Sequence, residues 1–227
     1  MPKSKDLSQL KIDGVFCISL KERTDRRELL EKEFEGSGLH IEFLVVERDS
    51  ENSERGCFDS HVKCATLAME RNYQRVLILE DDATLMEFEP VQVQQINSFM
   101  NRCDPEQLYL GANLGKVWLT WSKGIARGRA KGTHAYILTR KGCQHLLRHA
   151  PYSGVAIDKV YSKHFKSYMS FPMLSQQQPE EVVASDVLAA RSTDGTFPDA
   201  KFWKENWRKQ YTQAFKNIGK TVLYRDM

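Results

Sequence analysis

Short apolar runs and amphipathic stretches alternate from residue 14 onward. Residues 14–20, GVFCISL, form an apolar run of strand length, and the stretch after it carries Leu29, Leu30 and Phe34 on one side of a helix that Asp25 can cap. Gly36 and Gly38 end that helix. Residues 41–46, IEFLVV, have the β-branched and aromatic character of a second strand and lead into a polar segment, 47–55, that reads as a loop. Asp59 or Ser60 caps the next helix, which runs to Tyr73, and residues 75–79, RVLIL, form the clearest strand of the chain. Strand and helix in alternation predict a parallel α/β sheet, whose ligands gather at the carboxyl ends of the strands.

Beyond residue 80 the pattern loosens. Pro90 opens a helix to Arg102, residues 108–110 make a short strand, and 111–132, rich in glycine and basic residues, form a long functional loop or an irregular hairpin. Residues 135–138 are a further strand and 141–149 a helix. After Pro198, Phe202, Trp203, Trp207, Tyr211 and Phe215 recur near helical spacing among lysines and arginines. Two readings fit this tail: a helix docked on the domain by its aromatic side, or a basic aromatic helix lying on a membrane or a partner. The chain divides into a polar leader (1–13), a main domain (14–197) and a basic aromatic tail (198–227).

With 227 residues and 41% hydrophobic content the chain can bury a real core, which excludes disorder throughout. No apolar run approaches the roughly 20 residues of a spanning helix. Residues 1–6 lack the apolar stretch of a secretory signal, so the expected location is the cytoplasm, with peripheral membrane contact through the tail. The net charge of +3 conceals an asymmetry: residues 107–157 contain no Asp or Glu but eight Lys and Arg, leaving the rest of the chain at −5. A basic block of that length points to an anionic partner or, equally, to a solvated basic face. The five cysteines are scattered without a C-x-x-C pair, so they read as free thiols rather than a zinc site or a disulfide framework.

The strongest chemical signal is Glu80-Asp81-Asp82 at the end of the strand at 75–79. Adjacent carboxylates repel, and a bound cation relieves them; hard oxygen ligands select Mg²⁺ or Mn²⁺. If the strand continued, Glu80 and Asp82 would share one side; acidic caps on the next segment are the alternative. Upstream, Lys21, Arg23, Arg26 and Arg27 follow the first strand just before a helix N-terminus, a setting that favours phosphate, although no glycine fingerprint of a P-loop or dinucleotide turn accompanies them.

These stretches, with others in the same order, resemble glycosyltransferase family 25, which includes bacterial lipooligosaccharide galactosyltransferases and the glycosyltransferases of procollagen hydroxylysine. The similar segments are Ile18-Ser19-Leu20 with Arg23, Asp25 and Arg26; residues 56–61, GCFDSH; residues 77–83; residues 132–138 with Lys141-Gly142; Ile157-Asp158; residues 172–176; and Ser185-Asp186. The resemblance implies an α/β fold of the GT-A type, a Rossmann-like nucleotide-sugar-binding domain with a central, mostly parallel sheet flanked by helices. It also implies a UDP-hexose donor and a Mn²⁺ or Mg²⁺ ion held by Asp82 with Glu80. By position, Leu20, Arg23 and Arg26 line the nucleotide pocket, Ser60 and His61 sit at a helix start facing the donor, Glu80 or Asp81 touches the ribose, and Asp186 contacts donor or acceptor. The family's first motif usually has Asn where this chain has Ser19.

The implied activity is a metal-dependent hexosyl transfer, of galactose or glucose, to a hydroxyl of a glycan, lipooligosaccharide or hydroxylysine-type acceptor. Inversion needs a carboxylate base for the acceptor hydroxyl, and Asp158, the first acid after the acid-free block, is the candidate. Its alternatives are a helix cap or, in a retaining enzyme, an acceptor-positioning group. The basic block would close over the diphosphate or receive an anionic acceptor, with Trp118 and Trp121 as sugar platforms or as anchors. The competing class is a noncatalytic binding module using that block on nucleic acid or an anionic membrane; the acidic triplet argues against nucleic acid, since it would repel a polyanion.

Overall fold

The computed structural model describes residues 3–179 and 199–223. The predicted alternation appears as β1 (Gly14–Leu20), α1 (Thr24–Glu33), β2 (Ile41–Val46), α2 (Ser53–Glu70) and β3 (Arg75–Glu80), with β2 and β3 both parallel to β1. There follow β4 (Ala83–Leu85), α3 (Val91–Cys103), β5 (Gln107–Leu119), β6 (Ile125–Thr139), α4 (Arg140–Leu147), α5 (Ile157–His164), β7 (Ser167–Ser170) and β8 (Ser175–Gln177). Two further helices, α6 (Ala200–Lys216) and α7 (Ile218–Leu223), close the described chain. The main sheet has the order β2-β1-β3-β6-β5-β7, and β4 pairs with β8 in a small antiparallel sheet. Only β6 runs against its neighbours, so five of the six strands share one direction. The expected α/β class with a central, mostly parallel sheet flanked by helices is what the chain adopts.

The uninterrupted apolar runs of β3 and β6 follow from burial on both faces. Val76 and Ile78 of β3, with Tyr136 and Leu138 of β6, face α2, α4 and α5, while Leu77, Leu79, Ala135 and Ile137 face α1 and α3. A strand sends alternate side chains to opposite faces, so each strand feeds two cores at once.

Several boundaries differ from the sequence reading, each for a local reason. Helix α2 starts at Ser53 rather than at Asp59, because the Asn52 side chain accepts a hydrogen bond from the Arg55 N–H at 3.0 Å. Asp25 lies inside the first turn of α1, not at its cap, where its charge suits the positive end of the helix and it pairs with Arg23 at 3.0 Å. Strand β3 ends at Glu80, and Asp81 and Asp82 form a turn into β4, so strand alternation does not relate Glu80 to Asp82. The glycine-rich stretch is the hairpin β5–β6 rather than an open loop. Glycine is required where β5 passes β8: a Cβ on Gly111 would collide with the Ser175 carbonyl and the His134 ring.

The tail docks by part of its aromatic stripe: Trp203 is buried and Trp207 packs against the core. Trp203, Asn206, Gln210 and Ala214 are its buried positions, while Tyr211 and Phe215 are exposed. Asn206 caps the open edge of β5: its Oδ1 accepts from the Leu114 N–H at 2.8 Å and its Nδ2 donates to the Ala112 carbonyl at 3.0 Å. Asn217 donates to the Val117 carbonyl at 3.0 Å further along. Two side-chain amides thus occupy backbone groups that an edge strand would otherwise leave bare.

Candidate functional site

The carboxyl ends of β1 and β3 open into a cleft of about 340 Å³. This is where a sheet of this kind holds ligands, because strands end there and loops diverge. Ser19 and Leu20 of β1, the loop after β2, the first turns of α2, Lys131 to Thr133 of β6, the start of α5, Gln177 and Trp203 form its walls. Of the site residues expected from the sequence, Leu20, Arg26, Ser60, His61, Glu80, Asp81, Asp82 and Asp158 all line it. Arg23 does not; its guanidinium lies against Asp25. Asp186 lies outside the described residues.

Arg26 and the acidic turn form one buried unit. Arg26 Nη1 donates to Asp81 Oδ1 at 2.9 Å and lies 4.0 Å from Asp82 Oδ2. The like charges of the triplet are therefore partly offset by a cation of the chain itself. Gln177 Nε2 donates to Asp82 Oδ2 at 2.6 Å, whereas Asp82 Oδ1, also buried, has no hydrogen-bond partner. Burial, then the charge of Glu80, pushes Asp82 up to about 7 despite Arg26. Asp81 is also raised, by burial, with Arg26 opposing the rise.

Glu80 behaves differently because its partners come from elsewhere in the fold. Burial pushes its carboxyl up, but His61, with the Thr133 hydroxyl, outweighs that and holds it below the ordinary range. Behind it runs a chain of donors: Tyr161 OH donates to Tyr136 OH at 3.0 Å, and Tyr136 OH meets His61 Nδ1 at 2.7 Å. With Tyr161 donating, the Tyr136 proton is directed at Nδ1, which leaves the His61 proton on Nε2, 3.3 Å from Glu80 Oε1. His61 is thus mid-helix and buried, not at a helix start, and Ser60 spends its hydroxyl on the Gly56 carbonyl at 2.7 Å.

Across the cleft, Asp158 sits in the first turn of α5; Ala156 holds the N-cap position and no side chain caps the helix. The capping alternative for Asp158 therefore falls away. The sequence reading missed Gln177 and Trp203 as wall residues, since each comes from an element far along the chain. Ser19, also in the wall, accepts a hydrogen bond from Arg27 Nη1 at 3.1 Å. Trp118 and Trp121 do not reach the cleft.

Among the described residues no group of three or more His, Cys, Asp or Glu side chains is set to hold a metal. The partnerless Asp82 Oδ1 fits a hard cation held by one or two carboxylates, with diphosphate oxygens and water completing its shell.

Comparisons with known proteins bear on this site. The model of glycosyltransferase family 25 (LPS biosynthesis protein) matches residues 45–161. A glycosyltransferase 25 family member of Drosophila melanogaster is 28% identical over 49% of this chain and 23% of its own length. The procollagen galactosyltransferase 1 of Danio rerio is 28% identical over 76% of this chain and 35% of its own. The chain thus spans about a quarter to a third of these relatives. Among solved structures, a glycosyltransferase involved in glycosylation of the major capsid of PBCV-1 aligns with 66% of this chain and 76% of its own, at 15% identity and a TM-score of 0.41. The matched segment takes in β3 with the acidic turn, the hairpin and the Asp158 turn of α5, just over half of the sequence, and on it the chain belongs to glycosyltransferase family 25.

Proposed function

We propose that the chain transfers a hexose from a UDP-sugar to an acceptor hydroxyl, with the donor diphosphate in the cleft and Asp158 as base. The carrying observation is that the acidic turn and Asp158 face a single cleft at the strand ends. Asp82, with Glu80, is the group to hold Mn²⁺ or Mg²⁺, and such an ion supplies charge that stabilises the departing diphosphate. Arg26 opposes the effect of burial on Asp81 and holds its carboxyl in place, and the Tyr161-Tyr136-His61 chain positions Glu80. The acceptor oxygen attacks the anomeric carbon as the bond to the diphosphate breaks, and its proton passes to an Asp158 carboxylate oxygen. That assignment gives inversion; in a retaining enzyme Asp158 would orient the acceptor.

Galactose and glucose are the donor sugars to test first, because the name of the Danio rerio relative specifies galactosyl transfer. The acceptor classes are glycans, lipooligosaccharide and hydroxylysine. The experiment is a screen of UDP-sugars with Mn²⁺ against these acceptors, followed by NMR of the product. Transfer with release of UDP supports the reading. Hydrolysis without transfer would favour a phosphohydrolase, and neither reaction, with salt-sensitive binding to DNA, would favour a binding module.

A further inference from the structure

Large apolar side chains are seldom left in water in number, yet six of them here lie on α6, α7 and the β5–β6 turn. Of the eight large hydrophobic residues exposed among the described residues, six are Trp121 at the β5–β6 turn and Tyr211, Phe215, Ile218, Val222 and Leu223 on α6 and α7. Phe215 and Leu223 are about four-fifths exposed, at 80% and 78%. Tyr211 and Phe215 on α6, and Ile218 and Val222 on α7, are each four residues apart, so each pair lies on one side of its helix. The Tyr211 and Phe215 side differs from that of Trp203, Asn206, Gln210 and Ala214, which fasten α6 to the domain. Tyr211 touches the Phe171 ring edge-on at 5.5 Å, whereas no ring contact is seen for Phe215 among the described residues and Phe215, Ile218, Val222 and Leu223 are left largely in water.

The surroundings of these residues are cationic. Residues 199–223 hold six Lys and Arg against two acids, and Lys204 and Arg208 precede Phe215 on the exposed side of α6. The hairpin adds its own charge where α7 packs on it: Lys220 Nζ stands 4.6 Å from the centre of the Trp118 ring, with Lys116 and Arg129 close enough to disfavour its protonated form, after the larger effect of desolvation. None of Lys116, Arg129 and Lys220 is ion-paired among the described residues. Exposed apolar side chains among cations on two consecutive helices have the chemistry of a segment lying in a lipid interface.

We propose that α6, α7 and the β5–β6 turn form a docking face for an anionic phospholipid bilayer, with Phe215, Ile218, Val222 and Trp121 entering the interface and Lys204, Arg208, Lys116 and Lys220 meeting the headgroup phosphates. No described helix is long and apolar enough to cross a membrane. The face uses the exposed side of α6, whose buried Trp203 lines the cleft, and does not rest on the glycosyl-transfer reading.

The test is co-sedimentation of the full chain with vesicles of phosphatidylcholine alone and of phosphatidylcholine mixed with phosphatidylglycerol. Binding to the mixed vesicles, weakened by salt and absent from the neutral ones, is expected. Phe215→Ser with Val222→Ser abolishes it, and Lys204→Glu with Arg208→Glu reduces partitioning more than about tenfold, both with the melting temperature unchanged because the substituted side chains are exposed. A chain that stays in the supernatant with both vesicles overturns the proposal. So does a chain that light scattering shows to be a dimer and that Phe215→Ser makes monomeric, since the face would then cover a second copy. Stabilisation by UDP and Mn²⁺, read on the same preparations, keeps failure at this face distinct from failure at the cleft.

Discussion

Asp158 and His134 illustrate how far single side chains can be read. If Asp158 accepts the acceptor proton, Asp158→Asn lowers turnover by roughly 10²–10⁴-fold while the UDP affinity stays near that of the parent; an equal loss of UDP affinity would make Asp158 a donor-binding or structural group. His134 carries a pH prediction. Burial holds its imidazole down to about 4, against the opposing influence of Glu80 and the Ser175 carbonyl. Above the unfolded value of 6.5 both states are neutral; as the pH falls below it, the unfolded chain takes up a proton that the folded chain refuses until about 4. Stability is thus lost between pH 6.5 and 4, by about 3 kcal/mol in all. Urea denaturation across that window should show a flatter acid limb for His134→Leu, and an unchanged limb would contradict the assignment.

The acidic triplet was legible because its members are adjacent in sequence. Its partners were not: Arg26 lies 55 positions from Asp81, Tyr136 lies 75 from His61 and Gln177 lies 95 from Asp82. Only the fold brings them together, and no local pattern encodes such pairings.

At the scale of elements, strands and helices with a strong period were read well and caps were not. Residues 53–56, SERG, look irregular, yet Asn52 begins α2 there by taking up a free N–H. Asn52→Ala should cost about 1 kcal/mol in urea unfolding; no change would mean that the cap is dispensable. The hairpin is ambiguous in the sequence because its glycines and register shifts break the period-two pattern that marks a strand. Asn206 was unreadable for another reason: a polar residue on a helix normally faces water, whereas this one satisfies the edge of β5. Asn206→Ala leaves the Leu114 N–H and Ala112 carbonyl unpaired and should destabilise the chain by about 2–4 kcal/mol. Loss of less than about 0.5 kcal/mol, the range of surface substitutions, would show that the edge does not need the amide.

For the whole molecule, the alternation of elements gave the α/β class but neither the strand order nor the reversal of β6, which depend on long-range pairing. What joins the scales is the cleft at the ends of β1 and β3, where chemistry from both halves of the sequence converges. The central claim is that this cleft binds UDP together with a divalent ion through Asp82. Its most direct test is the melting temperature of the chain and of Asp82→Ala, each titrated with UDP and Mn²⁺. At ligand about a hundred times Kd, native-state binding adds about 2.7 kcal/mol, a rise of roughly 5–10 °C for a chain of this size. The account predicts that rise for the parent chain only when UDP and Mn²⁺ are both present, and none for Asp82→Ala; no rise in the parent, or an equal rise in the variant, would contradict it.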